Sequence, residues 1–218
     1  MKRLEDIYTA EWFHHDFQGL RGEFAMAADG VWREFAPVRV LDVGCGPAFL
    51  LERLQKRGAQ VLGVEGSKHG IDYASEEVRA RLHHIDLRTA NALPAFEDPL
   101  EAERAALGRS SGKTDRWAIT ADVVVCTEVL EHVEPEYAAH VVQLLADAAD
   151  VGVPIVVTAA PPGQDGHHHV NCQPPEYWDR RFARWGLAPD FEATARMRLR
   201  WSALERLSHM TRNVRVYR

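Results

Sequence analysis

The sequence predicts an α/β fold: a mostly parallel, doubly wound, seven-stranded sheet with helices on both faces and an antiparallel pair of strands at its C-terminal end. Two observations predict it. Short apolar runs of strand length alternate along the chain with amphipathic stretches of helical period, which is the pattern of a parallel sheet covered on both faces. The length of 218 residues supports one domain of ordinary size with an appended cap, but not two full domains.

The first 37 residues predict a helical cap that precedes a single domain over residues 38–218. Between residues 8 and 35 the apolar side chains recur at helical spacing, and Gly19 and Gly22 indicate a break into two helices. The apolar positions that carry this period are Phe13, Phe17, Leu20, Phe24, Ala27, Val31 and Phe35.

The remaining elements follow in alternation. Apolar runs bounded by glycine or polar residues predict the strands, and helical periodicity between them predicts the helices. The predicted strands cover residues 38–43, 60–64, 82–85, 122–126, 153–159, 191–201 and 214–217, and the last two form the antiparallel pair. The predicted helices after the cap cover residues 49–56, 71–81 and 135–149.

Residues 94–120 interrupt this alternation and predict a loop-rich insertion. They contain Pro94, Pro99 and a run of glycine, serine and lysine over residues 108–114. That run is one residue too short for a phosphate-binding loop and follows no strand, so we interpret it as a surface loop.

Composition excludes several classes of protein. No apolar run approaches the roughly 20 residues of a membrane span, and the first residues lack the apolar core of a secretory signal. The three cysteines, Cys45, Cys126 and Cys172, match neither a disulfide framework nor a zinc pattern. We therefore expect a cytoplasmic protein, and we interpret Cys126 as a buried strand residue.

The charge is unevenly distributed, with a net charge of −6 overall but a basic C-terminal segment. Residues 176–218 carry ten Lys and Arg against five Asp and Glu. This segment could meet an anionic partner, although Arg196, Arg198 and Arg200 also fit the solvated face of the strand predicted there. Because the chain as a whole is acidic, we do not expect it to be attracted to bulk nucleic acid.

The strongest chemical signal is the glycine-rich turn after the first predicted strand. Gly44 and Gly46 allow a sharp turn and a close approach of the backbone to a ligand. The helix that follows offers free N–H groups to an anion. Phe49 replaces the third glycine of the dinucleotide fingerprint, which argues against a nicotinamide or flavin dinucleotide. Asp42 would disfavour a pyrophosphate but suits a cationic ligand.

Residues 40–49 resemble motif I of the class I S-adenosylmethionine-dependent methyltransferases, and the other landmarks of that family follow in order over residues 38–160. The resemblance implies a Rossmann-like fold and S-adenosylmethionine as the cofactor. An acidic residue after the second strand would hold the ribose, an Asp-Leu pair after the third would read the adenine, and the stretch after the fourth would line the methionine part. The cofactor-binding residues that it implies are Asp42, Gly44, Cys45, Gly46, Glu65, Gly66, Asp86, Leu87, Thr127 and Glu128.

Glu128, Glu131 and His132 form an E-x-x-E-H pattern at the entrance of a predicted helix, where all three side chains could share one face. Together with a downstream histidine, this pattern resembles the metal set of the small-RNA 3′-terminal 2′-O-methyltransferases. It also resembles the ubiquinone-pathway O-methyltransferases, in which it is not chiefly a transition-metal site. We favour a solvated acidic cluster over a divalent-metal site.

A loop rich in glycine and proline follows the fifth predicted strand and contains three adjacent histidines, residues 167–169. It resembles the acceptor loop of bacterial and phage methyltransferases grouped with sugar and small-metabolite O-methyltransferases. Histidine is a natural base for an acceptor hydroxyl at neutral pH. We expect His169 to be that base and His132 to be the second candidate, and at least one of the three loop histidines must point away.

The sequence therefore favours O-methylation of a small metabolite or sugar-type hydroxyl by in-line transfer. The stretch after the fourth strand lacks the Asn/Asp-Pro-Pro-Tyr tetrapeptide of amide and adenine N-methyltransferases. One alternative is a metal-assisted RNA 2′-O-methyltransferase, although a small-molecule acceptor is favoured over RNA. Another is a non-catalytic protein that retains the cofactor pocket. Tyr8 or Trp12 could cap the cofactor, although their helix also fits a purely structural role.

Overall fold

A computed structural model describes residues 2–96 and 120–218 of the chain. These residues form a six-stranded sheet in the order β3-β2-β1-β4-β5-β6. Strands β1 to β5 are parallel, and β6 is antiparallel to β5. The strands are β1 (Arg39–Val43), β2 (Gln60–Glu65), β3 (Leu82–His84), β4 (Val123–Thr127), β5 (Ile155–Thr158) and β6 (Arg215–Tyr217). The order changes direction at β1, so the loops after β1 and β4 lie beside a switch point, where ligands bind in this architecture.

Ten α-helices accompany these strands in the described ranges. They are α1 (Leu4–Ile7), α2 (Ala10–Asp16), α3 (Arg21–Phe35), α4 (Phe49–Lys56), α5 (Lys68–Tyr73), α6 (Glu76–Arg79), α7 (Ala138–Asp147), α8 (Pro175–Ala183), α9 (Phe191–Arg200) and α10 (Ser208–Asn213). Two buried apolar clusters include side chains from opposite faces of the sheet: Val123 and Val125 belong to one, Val124 and Cys126 to the other. The α/β class predicted from the sequence is confirmed.

The break predicted in the N-terminal helical stretch is present, since α2 ends at Asp16 and α3 begins at Arg21. Gly19 occupies the connection with a φ of 74°, a left-handed conformation that favours glycine. The buried face of α3 includes Gly30, where an added Cβ would lie 2.6 Å from the Trp201 ring. The indole N–H of Trp201 donates to the Ala27 carbonyl at 2.9 Å, so α3 packs closely against the C-terminal part of the chain.

The prediction of a strand over residues 191–201 was wrong, because this segment forms helix α9. The Asp190 side chain caps the helix by accepting a hydrogen bond from the Ala193 amide at 2.8 Å. The buried positions Ala193, Met197 and Trp201 are spaced by four, whereas Leu199, which suggested strand alternation, is 71% exposed. The described residues therefore contain six strands rather than the predicted seven.

The arginines of α9 do not form a strand face either. Arg196 and Arg200 both form ion pairs with Glu34 of α3. Near the chain end, Arg215 and Arg218 pair with Asp179 and Asp190 respectively. Four of the ten arginines in residues 176–218 thus form ion pairs with acidic groups of the protein itself.

The other predicted elements are present with adjusted ends. The final strand, β6, pairs with β5 rather than with residues 191–201. The predicted helix over residues 71–81 is two short helices, α5 and α6, and α7 begins three residues after Pro135. Most of the insertion predicted over residues 94–120, including the run at 108–114, lies outside the described residues. In the described ranges, none of the helices combines the length and the apolar character that crossing a bilayer requires.

Candidate functional site

A cavity of about 350 Å³ opens at the carboxyl ends of the parallel strands. All twelve site residues predicted from the sequence line it: Asp42, Gly44, Cys45, Gly46, Glu65, Gly66, Asp86, Leu87, Thr127, Glu128, His132 and His169. We call the part formed by the loops after β1, β2 and β3 (residues 42–46, 64–66 and 86–88) the strand-end wall. The cavity-lining residues of four other segments form the part called the loop wall. They are Leu4, Tyr8, Trp12, Phe13, Asp16, Phe17, Leu20 and Phe24, then Thr127, Glu128, Val129, His132 and Val133, then His167 and His169, and finally Leu207, His209 and Met210.

Backbone geometry shapes the turn after β1. Gly44 has a φ of 75°, and an added Cβ would lie 2.3 Å from a methyl group of Val129. The amides of Gly44 and Cys45 both donate to the Val64 carbonyl, at 2.8 and 3.0 Å. The turn is therefore fixed against β2, and only glycine fits at position 44 without displacing the neighbouring loop.

Glu65 ends β2 with its carboxylate held by backbone amides. Oε1 accepts from the Ser67 N–H at 2.7 Å, and Oε2 accepts from the Gly46 N–H at 2.8 Å. Burial raises the pKa of this carboxyl, while the two amides act in the opposite direction. Each oxygen keeps a further lone pair, so the carboxylate can still accept from ligand hydroxyls.

Asp42 lies at the base of the strand-end wall and is 3% exposed. Within the described part of the chain, its Oδ1 is buried without a hydrogen-bond partner. Burial and the nearby charge of Glu65 raise the pKa of Asp42 to about 7. A buried carboxylate without a partner is costly unless a ligand supplies a donor or a cation. The ammonium and sulfonium groups of S-adenosylmethionine would meet this need, so the residues present fit the cofactor.

Asp86 is held by Arg88, a residue that the sequence analysis missed. The Arg88 guanidinium donates to both carboxylate oxygens of Asp86, to Glu134 and to the Lys2 carbonyl. Burial acts to raise the pKa of Asp86, but the Arg88 guanidinium holds it below its usual range. The Arg88 side chain is only 5% exposed. The arginine two positions after Asp86 was visible in the sequence, but its partners at residues 2 and 134 were not.

The E-x-x-E-H pattern was expected at the entrance of a helix, and the structure corrects this. Glu128 has a φ of 54°, Leu130–His132 form a 3-10 turn, and the helix proper begins only at Ala138. A left-handed conformation in a residue with a side chain stores strain, which persists only where surrounding contacts enforce it. Here the Glu128 amide donates to both the carbonyl and the hydroxyl of Thr158 at the end of β5.

Glu131 connects this turn to the loop that follows β5. Its carboxylate Oε1 accepts from the Ala160 N–H at 2.9 Å, and its backbone carbonyl accepts from the amides of Val170 and Asn171. The residue is fully buried, and burial together with the charge of Glu128 raises its pKa. Glu131 is therefore not part of a solvated acidic cluster, as the sequence suggested, but a buried junction between two loops.

This junction brings His132 and His169 together, with ring centroids 4.9 Å apart. Nδ1 of His169 donates to the Gln164 carbonyl at 3.0 Å, and Nδ1 of His132 donates to the His168 carbonyl at 3.3 Å. Burial, and then the proximity of His169, lower the pKa of His132 to about 4. Of the three adjacent loop histidines, His167 and His169 line the cavity and His168 does not.

Three side chains around the His132–His169 pair lie close enough together to hold a metal ion. Glu131, His132 and His169 each offer an atom, and these atoms lie within 4.8 Å of one another. Glu128 is instead directed to His209, whose Nε2 lies 3.4 Å from its Oε2. His209 belongs to α10, and the sequence analysis missed it because nothing near it in the chain resembles a site motif.

The N-terminal segment covers the cavity. Tyr8 and Trp12 line it, and the Trp12 ring stacks on His167 with centroids 5.3 Å apart. The Tyr8 carbonyl accepts from the Ser67 hydroxyl at 2.7 Å, and the Ile7 carbonyl accepts from His167 at 2.9 Å. These contacts attach the segment to the loop after β2 and to the histidine loop after β5.

Cys126 is fully buried in β4 and is absent from the cavity lining.

A family model and several curated relatives match this chain. The family model described as "Methyltransferase domain" matches residues 13–209. The ubiquinone biosynthesis O-methyltransferase of Vibrio cholerae is 32% identical over 141 residues, which cover 61% of this chain and 49% of that protein. The chain thus spans about half the length of the curated relatives that it matches.

Solved structures resemble the fold. The CcbJ methyltransferase from Streptomyces caelestis superposes with a TM-score of 0.58 at 15% identity, covering 90% of this chain and 89% of that one. A magnesium protoporphyrin IX methyltransferase from Synechocystis, solved with bound SAH, gives a TM-score of 0.54 at 17% identity, covering 86% and 84%.

Proposed function

The chain belongs to the methyltransferase-domain family, and we propose that it transfers the methyl group of S-adenosylmethionine to a hydroxyl oxygen of a small, largely apolar molecule. One observation carries the proposal. The same cavity is lined by the cofactor-type residues of the strand-end wall and by a histidine, His169, whose Nδ1 proton is engaged by a backbone carbonyl.

The strand-end wall would hold the cofactor. Asp42 would meet the ammonium group, Glu65 the ribose hydroxyls, and Asp86 with Leu87 the adenine. When bound, S-adenosylmethionine supplies a methyl group on a positively charged sulfur. Tyr8 and Trp12 of the N-terminal cap, residues 1–37, would then cover the ligand and keep water from it, and the walls would align the acceptor with the methyl group.

The loop wall would hold the acceptor. Its lining is mostly apolar, with Phe17, Leu20 and Phe24 from the N-terminal segment and Leu207 and Met210 from the C-terminal one. Such a surface suits the body of an apolar or aromatic molecule better than a sugar, whose many hydroxyls would lack partners there.

His169 would act as the general base. Bound S-adenosylmethionine would supply the methyl group to the acceptor oxygen, with the electron pair of its carbon–sulfur bond left on sulfur. The hydroxyl proton passes to the free Nε2 of His169. His132 is the weaker candidate, because a nitrogen with a pKa of about 4 takes up a proton poorly at neutral pH.

A second candidate function follows from the metal-ligand geometry. Glu131, His132 and His169 could hold a divalent cation, and the Nδ1 hydrogen bonds of both histidines to carbonyls resemble those of metal-bound histidines. This would support metal-assisted methylation of an RNA 2′-hydroxyl. Oε1 of Glu131 already accepts from Ala160, so only its Oε2, which is buried without a partner among the described residues, could ligate a cation. Against RNA as the acceptor, four of the ten arginines in residues 176–218 form ion pairs with acidic groups of the protein itself.

The test is transfer of a labelled methyl group from S-adenosylmethionine into a cell extract separated into RNA, protein and small molecules, with and without EDTA. We expect label among the small molecules, unaffected by EDTA. His169→Ala should lower that labelling by about 10²- to 10⁴-fold while S-adenosylmethionine still binds. The matched control is His83→Ala, since His83 is exposed and absent from the cavity lining.

EDTA-sensitive label in RNA would instead support the metal-assisted reaction. Binding of S-adenosylmethionine without label in any fraction would contradict both candidates and favour a non-catalytic role.

A further inference from the structure

The loop after β5 surrounds the His169 imidazole, with the Gln164 carbonyl at Nδ1 and Gly166 beside Nε2. The carbonyl of Gln164, 3.0 Å from Nδ1, can only accept a hydrogen bond. This contact favours the neutral ring that has its proton on Nδ1 and its lone pair on Nε2. The Cys172 sulfur lies on the same side of the ring, 3.7 Å from that carbonyl oxygen and 3.5 Å from Nδ1. With its thiol hydrogen directed to the carbonyl, the sulfur leaves the proton on Nδ1 in place.

Gly166 provides the space that the ring occupies. A Cβ added at this residue would lie 2.2 Å from Nε2 of His169 and 2.3 Å from Cε1. Gly166 is not among the glycines with positive φ, so its backbone conformation is open to any residue. The demand for glycine here comes from the His169 ring alone, because any side chain would collide with the nitrogen that has to stay free.

Gln164 is itself anchored. Its side-chain oxygen accepts from the Asn213 amide at 3.0 Å, and its backbone N–H donates to the Pro161 carbonyl at 3.1 Å. Asn213 is the last residue of α10, the helix that also brings His209 and Met210 to the cavity. The Gln164 carbonyl is thus fixed by a hydrogen bond that reaches across 49 residues of chain.

We propose that Gly166, Gln164 and Asn213 are positioning residues that keep His169 as the Nδ1–H tautomer with an uncovered Nε2. The inference deepens the proposed function, in which Nε2 accepts the acceptor's proton. Gln164 selects the nitrogen that carries the proton, Gly166 leaves the other accessible, and Asn213 fixes Gln164. None of the three gains or loses a bond in the reaction.

The first test needs no acceptor. In the protein labelled with ¹⁵N-histidine, long-range ¹H–¹⁵N correlations distinguish the two neutral tautomers, and comparison with His169→Ala assigns the His169 signals. We expect the proton on Nδ1 in the wild-type chain. A proton on Nε2 would overturn the proposal, whatever the outcome of the labelling experiment, so the two failures are distinguishable.

The second test asks whether Gly166 acts through His169. With labelled S-adenosylmethionine and the small-molecule fraction of a cell extract, Gly166→Ala should lower methyl transfer by at least about tenfold, with cofactor affinity unchanged. In the His169→Ala background, the same change should cost less than about twofold, because the two residues act as one unit. An equal loss in both backgrounds would contradict the proposal.

Two further variants complete the design. Gly22→Ala is the matched control, since Gly22 is absent from the cavity lining, has an ordinary φ and has no neighbour within 4 Å of an added Cβ. It should leave transfer unchanged. Asn213→Ala leaves Gly166 and His169 intact, so it tests the anchor even if Gly166→Ala fails to fold. It should lower the transfer rate and populate the Nε2–H tautomer. Full activity with an unaltered tautomer would remove Asn213 from the proposal.

Discussion

The two walls of the cavity are built in different ways. The strand-end wall consists of short turns that directly follow neighbouring parallel strands, and its key groups bond to one another through the backbone, as in the Gly46–Glu65 pair. The loop wall is assembled from four distant segments, which meet through contacts such as Glu131–Ala160 and Asn213–Gln164. Strand register is sufficient to form the first wall, whereas the second depends on the packing of the whole chain.

The largest expected effect comes from breaking the turn after β1. Gly44→Ala would place a left-handed residue against Val129, so strain of about 1–3 kcal/mol or more should oppose the bound geometry. We expect S-adenosylmethionine affinity to fall by up to about 100-fold, measured by titration calorimetry. Gly58→Ala is the control, because Gly58 has a φ of 95° but open space around it. It should lower the melting temperature and leave affinity unchanged. Equal affinity losses in the two variants would mean that backbone strain alone explains the effect.

A smaller effect is expected from Glu65→Gln. The amide group of glutamine would turn a donor toward either the Ser67 or the Gly46 N–H, leaving a buried donor unpaired at about 1–3 kcal/mol. Cofactor affinity should fall by about tenfold or more. Asp122→Asn is the matched control, since Asp122 also accepts from two backbone amides, those of Val38 and Arg39, but lies outside the cavity. A stability loss in both variants with an affinity loss only in Glu65→Gln is the expected pattern.

The strand-end wall should also respond to pH through Asp42. Its pKa is about 7 when folded, against an ordinary value of 3.8, so between pH 4 and 7 the folded protein binds more protons than the unfolded chain at this group. The contribution of Asp42 to stability should therefore decrease as pH rises through this window. Ionised Asp42 favours an ammonium group, so cofactor affinity should rise between pH 5.5 and 7, by at most about tenfold per pH unit.

Asp42→Asn should flatten both pH dependences, in thermal melts for stability and in calorimetry for affinity. An unchanged affinity profile in this variant would exclude Asp42 as the titrating group.

The smallest effect is expected in the loop wall, from Trp12→Phe. The Trp12 indole N–H is buried without a partner among the described residues, so its removal should change stability by less than about 1 kcal/mol. The apolar ring against His167 is retained, and cofactor affinity should stay within about threefold, although the KM for the acceptor should change. Trp201→Phe is the contrasting control: its N–H donates to Ala27, and its loss should cost about 1–3 kcal/mol in chemical denaturation. Equal losses of stability in the two variants would show that the Trp12 N–H has a hydrogen-bond partner in the folded protein.

Sequence reasoning succeeded where the signal is local. The glycine turn, the acidic end of β2 and the Asp-Leu pair after β3 all line the cavity, because a strand and the turn after it are specified by adjacent residues. It failed over residues 191–201, where Met197, Leu199 and Trp201 alternate like a strand. Only the packing of α9 against α3 shows that the buried positions follow a helical period.

By itself, the sequence determined the α/β class, the mostly parallel sheet and which residues follow the carboxyl ends of its strands, because these depend on hydrophobic periodicity and on local turn residues such as glycine. Tertiary structure alone decided that Glu131 is buried, that Arg88 and His209 belong to the cavity, and that Gly166 and Asn213 lie around His169. These residues are far apart in the chain, and their proximity arises from the packing of loops and of α10, which no local pattern encodes.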